Sequence, residues 1–219
     1  MADRYHLHGH AHRKSPVALL LIDFINDLEF PEGEKLLRQA LPAARHTAAL
    51  KRRAIEAGVP VIYVNDNFGR WRSDFQMQVR HCLEDGVRGE PLVRLLLPDP
   101  DDYFVLKPKS SAFYDTTLST VLHHLRVRKL ILTGLAADVC ILFTAHDAHL
   151  RDYKIVVASD CVASESARET AAALKNMQKS THATVCKSKE IDFQQMLQPA
   201  RNFQQTSETK DIVSMRRAS

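Results

Sequence analysis

The sequence predicts an α/β protein: a three-layer, doubly wound fold with a mostly parallel six-stranded sheet covered by helices on both faces. Three observations predict it. Short, continuous apolar runs recur along the chain, as in strands buried on both faces. Stretches with helical spacing separate consecutive runs, which is the βαβ pattern. Each connection is long enough for the right-handed crossover that parallel strands require. The length of 219 residues favours one full hydrophobic core over two small ones.

The elements follow in order. Residues 17–22 form an unbroken apolar run that stops at Asp23. Residues 34–57 show helical spacing through Leu36, Leu37, Ala40, Ala44, Ala48, Leu50 and Ile55, and Gly58 and Pro60 close that helix. A second strand over 59–64 runs into Asn65-Asp66-Asn67. A polar and aromatic segment, 68–100, separates it from the third strand, 103–106. Residues 115–126 read as a helix, 129–133 as the fourth strand closed by Gly134, 138–151 as a helix and 154–158 as the fifth strand. Ser166 and Glu169 have capping-box spacing at the start of the next helix, and 183–186 make a last short strand.

No linker divides this pattern. The expected organisation is a polar arm over 1–15, one domain over 16–195 and a polar tail over 196–219. The arm carries His6, His8, His10 and His12, and it reads as a poorly ordered segment rather than a metal site. The tail reads either as loose chain or as a docking segment.

Composition excludes several classes. Hydrophobic residues make up 45% and charged residues 26%, as in an ordinary globular protein. The net charge of +4 comes from scattered basic residues, not the concentrated face of a nucleic-acid binder. No apolar run reaches the length of a membrane span, and no signal peptide opens the chain, so a cytoplasmic location is expected. Cys82, Cys140, Cys161 and Cys186 contain no CxxC pair, so reduced thiols are expected.

In an open parallel sheet, ligands bind beyond the carboxyl ends of the strands. Those ends carry Asp23, then Asn65 and Asp66, then Lys107, then the segment 133–140 with Cys140. A carboxylate, an ammonium and a thiol thus fall on one edge. Cys140 follows a strand and Gly134, near a helix start, where free N–H groups and the helix dipole lower a thiol pKa and can hold an oxyanion. The alternative for Cys140 is a small packing residue. Asp23 suits a general base, and Lys107 suits a stabilising cation held extended by Pro108.

With these residues in view, the chain resembles the isochorismatase-like cysteine hydrolases, a family that includes nicotinamidases, carbamoyl-amide hydrolases and isochorismatase. Three blocks carry the resemblance: 20–27 (LLIDFIND), 107–113 (KPKSSAF) and 133–140 (TGLAADVC) with Thr144, Ala145 and Ala148 after it. It runs from about residue 16 to 188. The resemblance implies a catalytic set of Asp23, Lys107 and Cys140, a cis peptide before Ala136, and an oxyanion hole made by the N–H groups of Ala136 and Cys140. It implies hydrolysis of a small amide or carbamoyl substrate through a Cys140 thioester, without a cofactor.

The chain also departs from the family pattern. Ile25 stands where Gln is usual and Leu28 where Phe is usual; Ala137 and Ile141 are milder changes. Nicotinamidases carry a metal-binding Asp-x-His arrangement after the second strand, whereas here Asp66 has no histidine after it until His81, so no metal is expected. Asn65, Phe68, Trp71 and Phe113 are candidate substrate contacts. His146 and His149, three apart, read as helix surface or subunit contact rather than a metal pair, and the adjacent His123 and His124 do not suit joint ligation. Cys82, Cys161 and Cys186 read as packing residues. The expected partner is a small-molecule substrate, and the expected assembly is a homodimer or homotetramer. Two other readings stay open: vinyl-ether hydrolysis with Asp23 as acid, and a non-catalytic binding protein on the same fold.

Overall fold

The computed structural model describes residues 14–69 and 74–198. The four arm histidines, Trp71 and the tail from residue 199 lie outside the described residues. Among the described residues, no helix is long and apolar enough to cross a membrane.

Six parallel strands lie in the order β3-β2-β1-β4-β5-β6. They are β1 (Val17–Ile22), β2 (Val61–Asp66), β3 (Tyr103–Lys107), β4 (Lys129–Leu135), β5 (Lys154–Ala163) and β6 (Thr184–Cys186). The order reverses between β1 and β4, so the crevice at their carboxyl ends is the topological switch point. The helices are α1 (Gly33–Glu56), α2 (Phe75–Glu84), α3 (Glu90–Leu95), α4 (Leu118–Leu125), α5 (Leu142–His149), α6 (Ala167–Thr181) and α7 (Phe193–Leu197).

All six residues of β1 are buried, and their alternation divides the core. Val17, Leu19 and Leu21 join Ala40, Ala44 and Leu50 of α1. Ala18, Leu20 and Ile22 join Leu118 and Leu122 of α4, Ala145 and Ala148 of α5, and Met177 of α6. A strand apolar at every position therefore needs helices on both faces.

Six elements differ from the expectations. The segment 68–100 contains α2 and α3. Asp74 caps α2 by accepting from the Met77 N–H at 2.7 Å, and Phe75, Val79 and Cys82 bury one stripe. β4 continues through Gly134 to Leu135, and β5 runs on to Ala163 past a register shift opposite Leu132 and Gly134. The predicted helix over 138–151 begins as a single π turn, Ala137–Ile141, before α5. The predicted helix over 115–126 starts only at Leu118. Ser166 caps α6: its hydroxyl accepts from the Glu169 N–H at 3.2 Å and donates to the Glu169 carboxylate at 2.9 Å.

Candidate active site

The ends of β1, β2 and β3 and the turn after β4 each deliver one group to the switch point. At the end of β1, Asp23 takes a positive φ of 54°, and its N–H bonds the Val64 carbonyl at 2.9 Å. This turns the carboxylate toward β2 and β3. One oxygen accepts the Asp66 N–H at 2.7 Å, and the other lies 2.9 Å from Lys107 Nζ. Lys107 ends β3 with no exposed surface; a second carboxylate, Asp66, lies 3.4 Å from its ammonium. Cys140 Sγ lies 3.5 Å from the same ammonium, and the thiol also donates to Asp23. The structure thus brings Asp23, Lys107 and Cys140 together, with Asp66 beside them.

Gly134 makes this arrangement possible. Its φ is 132°, and a Cβ there would lie 2.0 Å from the Ile22 carbonyl oxygen. Only glycine lets β4 pass this closely beside the end of β1. The Leu135–Ala136 peptide that follows is cis. The N–H groups of Val139 and Ile141 both bond the Ala136 carbonyl, at 3.2 Å each, which closes the π turn around Cys140. Buried Ser164 fixes the turn from β5: its hydroxyl accepts the Asp138 N–H at 3.3 Å and donates to the Asp138 carboxylate at 2.5 Å.

The block after β3 is tied to α5. Thr144 accepts the Ala112 N–H at 3.0 Å, and Ser111 donates to Asp147, which Arg151 holds from the other side at 2.7 Å. These links fix the second block against the helix that carries the third.

The electrostatics correct one expectation. A helix N-terminus was expected to lower the Cys140 pKa. Instead burial, and then the negative charge of Asp23, push the thiol up to about 12, against the opposing pull of Lys107. A neutral thiol costs less to bury here than a thiolate. Burial also raises Asp23 above the usual carboxylate range, although Lys107 and the thiol hydrogen bond oppose the shift. For Lys107, burial works against the ammonium, but Asp23, Cys140 and Asp66 outweigh it and raise its pKa. Burial thus favours the neutral thiol of Cys140 beside the ammonium of Lys107.

The candidate substrate contacts separate. Phe68, with φ 53°, is 47% exposed and lines a cavity. Asn65 is fully buried, and its Nδ2 donates to the Ile25 carbonyl at 2.8 Å, so it pins the loop after β1. Phe113 is a core residue, its ring tilted against Tyr153 with centroids 5.9 Å apart and the Arg151 guanidinium over its face. Apolar character at a strand end does not distinguish a pocket wall from a core residue, and this aromatic ring belongs to the core.

Asp66 was visible in the sequence only as an unaccompanied acid. Its Oδ1 accepts the Phe68 N–H at 2.6 Å and its Oδ2 faces Lys107, so it belongs to the ion cluster. Phe68 stands where the nicotinamidase pattern has its histidine. Among the described residues, no three His, Cys, Asp or Glu side chains are grouped to hold a metal ion, so the residues present do not fit the nicotinamidase metal. His146 spends both ring nitrogens on the Leu142 carbonyl and the Ser180 hydroxyl, at 2.8 and 3.0 Å. Cys82 and Cys161 are buried, and Cys186 is half-buried.

Known proteins share this architecture. A family model described as Isochorismatase domain matches residues 17–190. The chain is 38% identical over 178 residues to the uncharacterized isochorismatase family protein YaaI of Bacillus subtilis (strain 168), covering 81% of this chain and 97% of that one. It is 28% identical over 151 residues to the maleamate amidohydrolase of Pseudomonas putida, covering 66% of this chain and 71% of that one. The crystal structure of N-carbamoylsarcosine amidase from Thermoplasma acidophilum superposes with a TM-score of 0.62 at 28% identity, over 80% of this chain and 98% of that one. With this fold, this sheet order and a match spanning nearly all the described residues, the chain belongs to the isochorismatase family.

Proposed function

We propose that this protein is an amidohydrolase that cleaves a small amide or carbamoyl C–N bond through a thioester on Cys140. The observation that carries the reading is the placement of one fully buried ammonium, Lys107, 2.9 Å from Asp23 and 3.5 Å from Cys140. Relatives named as amidohydrolases and amidases supply the reaction class.

A thiol near 12 is not a standing nucleophile, so deprotonation accompanies attack. Asp23 accepts the proton as the sulfur bonds to the substrate carbonyl carbon, and Lys107 keeps the buried carboxylate competent as a base. The N–H groups of Ala136 and Cys140 receive the oxyanion. The C–N bond then breaks, and Asp23 passes its proton to the leaving nitrogen, leaving a thioester. Asp23 next takes a proton from water, whose oxygen attacks the thioester. Collapse releases the acid product and returns the proton to sulfur. No cofactor enters these steps.

The test is a panel of small primary amides and ureides assayed with wild type and Cys140→Ala. The reading expects ammonia release that Cys140→Ala abolishes without loss of the fold. A second reading has one observation in its favour: a raised Asp23 also suits an acid that protonates a vinyl ether. Isochorismate cleaved equally by wild type and Cys140→Ala, with every amide inert, would select that reading.

A further inference from the structure

Asp23, Asp66 and Cys140 surround the Lys107 ammonium, and the proposed reaction leaves Asp66 without a task. Its place in the chain is that of the acid in the nicotinamidase Asp-x-His pattern, with Phe68 in place of the histidine. The groups differ in access. Lys107 is closed to solvent and Asp23 has 7% of its side chain open, whereas Asp66 has 33%. Cys140 is half-buried. A ligand that touches the sulfur therefore meets Asp66 as the open carboxylate of the cluster.

Donors and acceptors decide what Asp66 can do there. Lys107 has three N–H donors, and Asp23, Asp66 and Cys140 stand 2.9, 3.4 and 3.5 Å from its nitrogen, so each donor is matched. Asp23 gives one oxygen to the Asp66 N–H at 2.7 Å and turns the other to Lys107. A carboxylate offers about four acceptor positions. Among the described residues, Asp66 gives one to the Phe68 N–H at 2.6 Å and one to Lys107. Acceptor capacity thus remains at Asp66, on a carboxylate already held in place by two bonds. Sulfur and carboxylate flank one nitrogen, and an amide spans them. Its carbonyl carbon comes within about 3–3.5 Å of Sγ for attack, and its N–H points to Oδ2.

We propose that Asp66 is a further catalytic residue, which accepts a hydrogen bond from the N–H of the leaving nitrogen and so selects amides and ureides over esters. The inference rests on the amidohydrolase reading and deepens it. The N–H groups of Ala136 and Cys140 take the carbonyl oxygen, and the leaving nitrogen needs an acceptor of its own. Asp23 then hands its proton to that nitrogen, and the C–N bond breaks with its electron pair going to nitrogen. Positive charge develops on the nitrogen as it gains the proton, so its bond to the Asp66 carboxylate strengthens along the reaction. An ester oxygen brings no donor and gains nothing from Asp66.

Pentanamide and methyl pentanoate test it, since they share an acyl group and only the amide has N–H on its leaving atom. Each is assayed with wild type and Asp66→Asn, with thermal unfolding as the check on folding. The asparagine keeps an oxygen for the Phe68 N–H and turns its NH2 toward Lys107 and the substrate, so the acceptor is lost. The amide-to-ester ratio of kcat/KM should fall by about tenfold or more, the worth of a hydrogen bond to a charged group. An unchanged ratio, whether both rates fall together or neither moves, means that Asp66 serves only the ion cluster and overturns the assignment. The wild type alone supplies a second measurement with pentanamide, N-methylpentanamide and N,N-dimethylpentanamide. The second methyl removes the last N–H and should cost about tenfold more than the first; an equal or smaller cost overturns the assignment. Titrating pentanamide and methyl pentanoate into Cys140→Ala, with and without Asp66→Asn, separates the assignment from the reaction. Amide binding that Asp66→Asn weakens more than ester binding, without turnover by the wild type, counts against the amidohydrolase reading and leaves the assignment standing. Equal weakening of both, or binding of neither, overturns it.

Discussion

Lys107 Nζ lies 2.9 Å from an oxygen of Asp23, with the lysine side chain wholly buried and the aspartate nearly so. A pair this dry behaves unlike a surface salt bridge. Removing one partner leaves the other charge stranded in a low-dielectric site.

Lys107→Met should therefore lower stability at neutral pH by about 3–5 kcal/mol in denaturant unfolding. Adding Asp23→Asn to Lys107→Met should restore much of that loss, because no charge is then stranded. Neither variant should retain activity above about a hundredth of wild type. A double variant no more stable than the single one would show that the ammonium serves packing, not charge pairing.

Burial sets the pH behaviour. Because the folded-state pKa of Asp23 is raised, its acid form favours the fold. That contribution is complete below the ordinary carboxylate range and is lost as pH rises through the folded value. Asp23→Asn should flatten the dependence of Tm on pH between the ordinary carboxylate range and the raised folded value. Cys140, at about 12, should react with iodoacetamide slowly at pH 7, and its rate should climb through the alkaline range. Fast alkylation of Cys140 at neutral pH would mean that Lys107 outweighs burial and Asp23 together.

The sequence carried much of this molecule, and its failures have physical causes. β1 was legible because every position is apolar, and β4 because Leu130, Ile131 and Leu132 make an unbroken apolar run, which only a doubly covered strand tolerates. Asp23, Lys107 and Cys140 were legible because strand ends are where such a sheet places its chemistry. α2 and α3 were not legible: each is short, and their stability comes from burying Phe75, Cys82, Leu92 and Val93 against distant chain. The extension of β5 hid behind Ser159 and Asp160, whose side chains make tertiary bonds to Cys186 and Ser188. Lys107 reads as a surface residue by type, and only the carboxylates from β1 and β2 explain its burial.

Gly134→Ala should be among the most damaging small substitutions. The added carbon would meet the Ile22 carbonyl at 2.0 Å while holding a φ of 132°. The backbone conformation alone costs about 1–3 kcal/mol, and the clash adds to it. Thermal unfolding should show a marked fall in Tm, with lost activity even where the fold persists, since β4 leads directly into the Cys140 turn. A neutral result would mean that β1 and β4 can separate without cost.

Assembly is the next test. On and beside α5, Phe143 and Leu150 are 55% and 77% exposed, and Val139 adjoins Cys140 at 40%. We propose that this stripe contributes to a two-fold contact between copies. Light scattering should then give at least twice the single-chain 24.8 kDa, and Phe143→Glu should shift the mass toward one chain. A wild-type mass of one chain contradicts the contact.

In the proposed reaction the Cys140 sulfur bonds to the substrate carbonyl carbon. Rapid acid quenching during turnover of an amide substrate, followed by peptide mass spectrometry, measures this directly. The mass of the acyl group should appear on the peptide containing Cys140, be absent from the peptides of Cys82, Cys161 and Cys186, and be lost on exposure to hydroxylamine. An enzyme that turns over the amide with Cys140 unmodified at every quench time, and that keeps its rate as Cys140→Ala, would contradict it.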